Sequence, residues 1–227
     1  TGVRVLTWNL FHGRAVPERP RSLLPEFAAT LAGWDWDVAL LQEVPPWWPA
    51  PLGGACGASA RMALTSRNWL LPLRRPVAER RPDLLRSNGG GCNAVLVRGA
   101  HVAAHRARTL SVRPERRVMH AVLLGDGTWV ANLHAQGPDD LARADVALAA
   151  RTALQWAAGA PVALGGDLNL TRPAVDGFAV LAGHHVDHVC ARGLVAAAPG
   201  TTPDRHGLSD HEPLLVTLRK DAPSESV

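Results

Sequence analysis

Apolar residues fall along this chain in many short runs, and the period within each run separates the elements. Residues 3–10 alternate, with Val3, Val5 and Thr7 opposed to Arg4, Leu6 and Trp8, which predicts a strand closing on Asn9. Residues 37–43 and 161–164 are almost continuously apolar, the pattern of strands covered on both faces. They run into Glu43 and into Gly165-Gly166-Asp167. Between the first two strands, Leu23, Leu24, Phe27, Ala28 and Leu31 recur at helical spacing. A helix is therefore predicted over residues 22–34 with Ser22 as its N-cap, after a Pro- and Arg-rich loop at 14–21. Pro45-Pro46 stops the second strand.

Further along, a segment at 84–88 and a glycine turn at 89–91 lead into a strand ending at Val97, and strands are predicted over 102–112, 117–124 and 128–133. Gly125-Asp126-Gly127 joins the last two as a hairpin. A helix runs from Pro138 to Ala157, with Leu141, Val146, Leu148, Ala149 and Leu154 turned inward and Asp139 or Asp140 near its positive end. Short strands follow at 186–190, 194–198 and 214–218, and a polar tail starts at Lys220. Residues 47–81 keep no steady period, and their tryptophans Trp47, Trp48 and Trp69 read as core more readily than as a stacking surface. Without a repeat or linker, the reading is one domain over residues 1–220 and a tail at 221–227.

Composition narrows the class. With 47% apolar residues and no run near the roughly 18 residues of a membrane span, a sizeable core and no transmembrane segment are expected. Cys56, Cys92 and Cys190 are odd in number and scattered, against a disulfide framework or structural zinc. The expected setting is a reducing, cytoplasmic one. The net charge of +4 favours phosphate-bearing partners, and no obligate protein partner is implied, so a monomer is expected.

The polar residues that interrupt these runs sit at strand ends. Asn9, Glu43, His134, Asp167 with Asn169, and Asp210-His211 each close or precede a strand, and Asp187 lies within one. If strand geometry carries across 167–169, Asp167 and Asn169 project to one face. The competing reading is a turn, because Gly-Gly-Asp and Asn favour turns. Oxygen ligands from Glu43, Asp210 and Asn9 suit a hard ion that retains water, Mg²⁺ rather than Zn²⁺, with Mn²⁺ as a substitute.

Six pieces then match one family in its order: Thr7-Trp8-Asn9-Leu10, Leu41-Gln42-Glu43, Asn132-Leu133-His134, Gly166-Asp167-Leu168-Asn169, Val186-Asp187-His188-Val189 and Ser209-Asp210-His211. The sequence resembles the endonuclease/exonuclease/phosphatase superfamily, the deoxyribonuclease I-like proteins. The resemblance implies a four-layer α/β sandwich of two packed mixed β-sheets flanked by helices. It also implies Mg²⁺ at Glu43, with Asn9 and Asp210 close by, and a catalytic group of His134, Asp167, Asn169, Asp187 and His211. In it His211, charged and oriented by Asp187, meets the scissile phosphate. Asp167 and Asn169 position water and hold the phosphoryl group, and His134 is similar to a second histidine of the deoxyribonuclease and sphingomyelinase branches. Asn93 falls near the same site.

The implied activity is a Mg²⁺-dependent phosphodiesterase acting on nucleic acid, with Asp167 and His211 both candidates for the base. Hydrolysis of a smaller phosphoester or a sphingomyelin-like lipid is the enzymatic alternative, because the short stretch between Asn169 and Asp210 leaves little room for a duplex grip. The inositol phosphatase branch ranks lower, since its Trp-Cys-Asp-Arg type motif is replaced here by Val186-Asp187-His188-Val189. A non-catalytic binding module on the same fold is the alternative of another class, though Glu43 and Asp210 are intact. His12, His184, His185, His188 and His206 carry no assigned role.

Overall fold

A computed structural model describes residues 2–65, 68–81 and 91–221. The segment at 84–88, the first two residues of the glycine turn and most of the polar tail lie outside the described residues. The chain runs β1 (Val3–Asn9), α1 (Leu24–Gly33), β2 (Val38–Val44), α2 (Pro49–Cys56), β3 (Ala58–Leu64), α3 (Leu71–Arg80), β4 (Cys92–Arg98), β5 (Val102–Ser111) and β6 (Arg117–Leu124). It continues through β7 (Trp129–His134), α4 (Asp139–Ala157), β8 (Val162–Asp167), β9 (Ala179–His184), β10 (Asp187–Arg192), β11 (Leu194–Ala196) and β12 (Leu214–Lys220).

Two six-stranded sheets form, in the orders β11-β12-β1-β2-β4-β3 and β5-β6-β7-β8-β10-β9. Both are mixed: β1 and β2 are parallel, as are β7 and β8, while the other pairs are antiparallel. Alternate residues of the central strands then serve two cores. Val5, Val38, Leu40, Val122, Val130, Ala163 and Val189 fill the space between the sheets. Leu6, Trp8 and Leu41 turn outward onto Phe27 and Leu31 of α1 and Leu52 of α2. Leu133 and Leu164 turn outward onto Ala142, Val146, Ala149 and Ala153 of α4. The four layers follow, and they explain why β2 and β8 are apolar without alternation.

Several local expectations are corrected. Ser22 does not cap α1, which starts at Leu24 with Leu23 in the cap position and no side-chain cap. Pro25 in the first turn, with its missing N–H and fixed φ, sets that start instead. Asp187 heads β10 rather than lying within a strand, and the strand expected over 194–198 ends at Ala196. On α4, Val146 and Ala149 are buried as expected, but Leu141, Leu148 and Leu154 are half-buried and the small Ala142, Ala150 and Ala153 face the sheet. The unread stretch at 47–81 holds α2, β3 and α3, and Trp48 is core while Trp69 is 74% exposed. The edge strand β9 escaped the pattern because its residues are exposed or half-buried.

Candidate active site

The topology brings chosen strand ends to a single rim. Parallel β1 and β2 end there on Asn9 and the Glu43 turn, and parallel β7 and β8 end there on His134 and Asp167. Antiparallel β10 begins there, Asp187 pairing with Asp167, and the loop entering antiparallel β12 brings Asp210 and His211.

Asp167 is the hub. Its Oδ2 accepts from Asn9 Nδ2 at 3.0 Å and lies 3.4 Å from His134 Nε2 and 3.8 Å from His211 Nε2. Gly166, just before it, has φ of +139°, and a Cβ there would meet the Leu133 carbonyl oxygen at 1.9 Å. Only glycine permits β8 to press this closely on β7 and still turn Asp167 into the rim. Strand geometry does not carry on to Asn169, whose φ is +50° and whose backbone N–H bonds Asp167 Oδ1 at 3.0 Å. The stretch is a strand end and an Asx-type turn at once, and the Asn169 amide donates to the Ala135 carbonyl at 2.9 Å.

Glu43 is aimed by a distortion. The β2–β4 register shifts between Leu41 and Val44, and Glu43 takes φ of +49° within that bulge. Bulges beside sites commonly redirect a side chain in this way, and a left-handed non-glycine residue costs on the order of 1 kcal/mol. Its carboxylate lies 3.2 Å from His12 Nε2 and 4.0 Å from His134 Nε2. Below it, buried Gln42 donates to Thr7 Oγ1 and Asn132 Oδ1, and Asn132 donates to the Leu41 and Ala94 carbonyls. This buried lattice ties the sheets together one residue below Glu43. A second tie runs from the Asn93 amide to the Val118 carbonyl at 2.8 Å.

Opposite, Ser209 clamps the last loop. Its hydroxyl donates to the Asn9 carbonyl at 2.6 Å and accepts from the His211 N–H at 3.0 Å, while Trp8 Nε1 donates to the His211 carbonyl. His211 Nδ1 is thereby held 2.8 Å from Asp187 Oδ2. Burial acts to lower the His211 pKa, but the Asp187 hydrogen bond and the charges of Asp187, Asp167 and Asp210 outweigh it and raise it to about 9. Burial drives the Asp187 carboxyl up to about 6 against that same hydrogen bond. At neutral pH the two stand as a carboxylate and an imidazolium. His134 behaves oppositely: burial, opposed by Asp167, pulls it down to about 4, and the ring is neutral.

The eight residues given a catalytic or metal role from the sequence therefore stand at this rim, with Asp210 exposed and its charge felt at His211 and Asp187. Three neighbours went unread: Arg117, whose Nη1 lies 3.1 Å from His134 Nδ1, and His12 and Asp145. Arg117 opens a strand beside three other charged or proline residues and has no motif. Asp145 leaves a trace, an acid among the alanines on the inner face of α4.

Asp167, Asp187 and His211 offer ligand atoms within 4.8 Å of one another. His211 Nδ1, however, is already committed to Asp187. Asp187 Oδ1 is buried and accepts no hydrogen bond among the described residues, so with Asp167 it makes an oxygen-rich, anionic donor set. Such a set fits a hard divalent ion.

Comparison with known proteins bears on the fold and the family. The chain is similar to a Beutenbergia cavernae endonuclease/exonuclease/phosphatase structure, at 21% identity and a TM-score of 0.70, over 96% of this chain and 72% of that one. A Bacteroides vulgatus endonuclease/exonuclease/phosphatase structure matches at 14% identity and 0.66, over 97% and 100% of the two chains. TDP2 from C. elegans matches at 17% and 0.66, over 96% and 75%. No curated protein matches the sequence. The model of the endonuclease/exonuclease/phosphatase family, in contrast, matches residues 6–211. That span takes in every strand end gathered at the rim, and the chain belongs to this family of phosphoester hydrolases.

Proposed function

We propose that the protein is a Mg²⁺-dependent phosphodiesterase whose substrate is nucleic acid. The observation that carries the reading is the arrangement around Asp167: an amide, a neutral imidazole and a carboxylate-held imidazolium converge on one buried carboxylate from three strands and a loop. A phosphodiester needs charge neutralised at its oxygens and a water held in line. Glu43, with Asn9 and Asp210, would hold the ion, and bound Mg²⁺ supplies Lewis acidity at a phosphoryl oxygen. Asn9 can serve through Oδ1, which also accepts from the Phe11 N–H.

His211, kept protonated by Asp187, is suited to face a non-bridging oxygen as a fixed cation or to protonate the departing alkoxide. Asp167 is then the better placed of the two to orient water and take its proton. Asn169 spends one amide hydrogen on Ala135 and keeps a second for a phosphoryl oxygen. The net charge of +4 supports a polyanionic substrate. A lipid-borne phosphoester is the second reading, favoured by the exposed Trp69, Leu70, Leu73 and Val77 on and beside α3.

The test is turnover of plasmid DNA, single-stranded DNA, RNA, sphingomyelin vesicles and bis-p-nitrophenyl phosphate, each with Mg²⁺ or chelator. Metal-dependent cleavage of nucleic acid that falls about 10²-fold or more in His211→Ala is expected. Cleavage of the vesicles alone selects the second reading, and inertness on every substrate removes both.

A further inference from the structure

His134 is gripped on its far side by a cation. Arg117 Nη1 lies 3.1 Å from His134 Nδ1, and the Arg117 side chain is only 12% exposed. A guanidinium carries five N–H donors and no acceptor, so this contact is a hydrogen bond only when His134 Nδ1 offers its lone pair. The ring hydrogen is then on Nε2, the atom that points at Asp167 Oδ2 from 3.4 Å and at Glu43 Oε1 from 4.0 Å. A carboxylate at Nδ1 would do the reverse, taking the Nδ1–H and leaving Nε2 as a lone-pair base.

We propose that Arg117 is a positioning residue that fixes His134 as the Nε2–H tautomer, so that the ring presents a hydrogen-bond donor, and not a base, to the reacting phosphoryl group. The inference rests on the phosphodiesterase reading for the donor's target, but the tautomer itself does not depend on it. The guanidinium is placed by a chain of buried and half-buried contacts that begins on α4. Asp145, 3% exposed, accepts from the Gln136 N–H at 3.0 Å and is 3.4 Å from the Ser111 hydroxyl. The Gln136 amide donates to Ser111 Oγ and to the Glu115 carbonyl, which sets the loop between β5 and β6. Glu115 Oε2 then meets Arg117 Nη2 at 3.0 Å. Arg117 Nε is buried without a hydrogen bond among the described residues, a cost that packing alone does not justify.

The experiment combines nitrogen NMR of histidine-labelled protein with steady-state kinetics on wild type, Arg117→Met, Arg117→Lys and His134→Ala. His134 should show the Nε2–H pattern in wild type and in Arg117→Lys, and lose it in Arg117→Met. kcat should fall roughly ten- to hundredfold in Arg117→Met, the range for partners that orient functional histidines, with KM little changed. Lysine, which keeps a donor, should restore most of the rate. In the His134→Ala background Arg117→Met should do nothing further, because the group it acts through is gone. An Nδ1–H or doubly protonated His134 in wild type, or a loss that multiplies with that of His134→Ala, would overturn the proposal. Should Arg117→Met not fold, the wild-type spectrum and Arg117→Lys decide. An inert wild type with the Nε2–H signature intact would sink the phosphodiesterase reading alone.

Discussion

The two rims of this sandwich treat charge in opposite ways. Where β1 begins, Asp37 accepts from the Arg4 backbone N–H at 2.8 Å and from its Nε and Nη2 at 3.0 and 2.6 Å, while Arg4 Nη1 also reaches Asp35. On the same rim, Arg98 stacks on Trp36 at 3.7 Å and donates to the carbonyls of Leu31, Trp34 and Cys56, closing the last turn of α1. Arg4 there meets carboxylates, and Arg98 a ring and a helix end. Where β1 stops, Asp167, Asp187, Asp210 and Glu43 gather around three histidines and one arginine, in backbone that is left-handed at Glu43, Asn169 and Ser209. The same strands thus carry pairing for stability at one end and crowded like charge at the other. Proteins tolerate the second arrangement where it serves a site, and its cost is met by packing elsewhere.

If that contrast is real, substitutions at the two rims should separate activity from stability. The largest effect is expected at Glu43. Glu43→Gly removes a carboxylate from the crowded rim and places at φ of +49° the residue that adopts it most readily. Metal-dependent turnover should fall by about 10²–10³-fold, which is roughly 3–4 kcal/mol of barrier, and the melting temperature should not drop. A variant that loses activity and melting temperature together would place Glu43 with the structural charges and erase the difference between the rims.

How much of this was legible in the sequence follows from the same contrast. Burial on both faces makes β2 and β8 continuously apolar, so each polar residue that ends them stands out: Glu43 and Asp167 could be read without coordinates. Elements whose residues stay half-exposed gave no period, which hid β9, and the glycines and prolines of α2 and α3 masked both helices. At Asn169 the strand and turn readings both stood, because the apolar run says where a strand begins but not where the backbone turns out of it; the turn is what forms. Arg117 was illegible for a different reason. Its importance lies in what it touches, and an arginine in Pro114-Glu115-Arg116-Arg117 looks the same whether it faces solvent or a histidine.

A smaller effect, of opposite kind, is expected at the paired rim. Asp37→Ala leaves Arg4 without its three hydrogen bonds and should cost about 2 kcal/mol after allowance for solvent, or roughly 4–8 °C in melting temperature, with kcat unchanged. Its hydrogen bonds with Arg4 hold the Asp37 carboxyl below the ordinary 3.8, against burial. A depressed folded pKa stabilises above the unfolded value and ceases to do so as pH falls through the folded one. The wild type should therefore lose its advantage over Asp37→Ala below about pH 4, as measured by urea unfolding at stepped pH. An advantage that persisted undiminished at pH 2 would mean that packing of the side chain, and not its charge, supports this end.

The weakest effect tests whether pairing or burial is responsible. Lys220 Nζ lies 3.4 Å from Asp126 Oδ2 and donates to the Asp126 carbonyl at 2.8 Å, close to the Arg4–Asp37 pair in charge and contact. The difference is solvent: the Lys220 and Asp126 side chains are 50% and 58% exposed, against 35% and 30% for Arg4 and Asp37. Water and salt screen the first pair, and holding a long lysine chain in place costs rotamer entropy, so the net contribution of such a contact is on the order of 0.5 kcal/mol. Lys220→Ala should shift the melting temperature by less than about 2 °C, and 0.5 M salt should abolish even that difference. A loss as large as that of Asp37→Ala would show that an ion pair at this rim stabilises the fold wherever it sits. The Arg4–Asp37 contact would then owe its strength to the number of charges present and not to their partial removal from water.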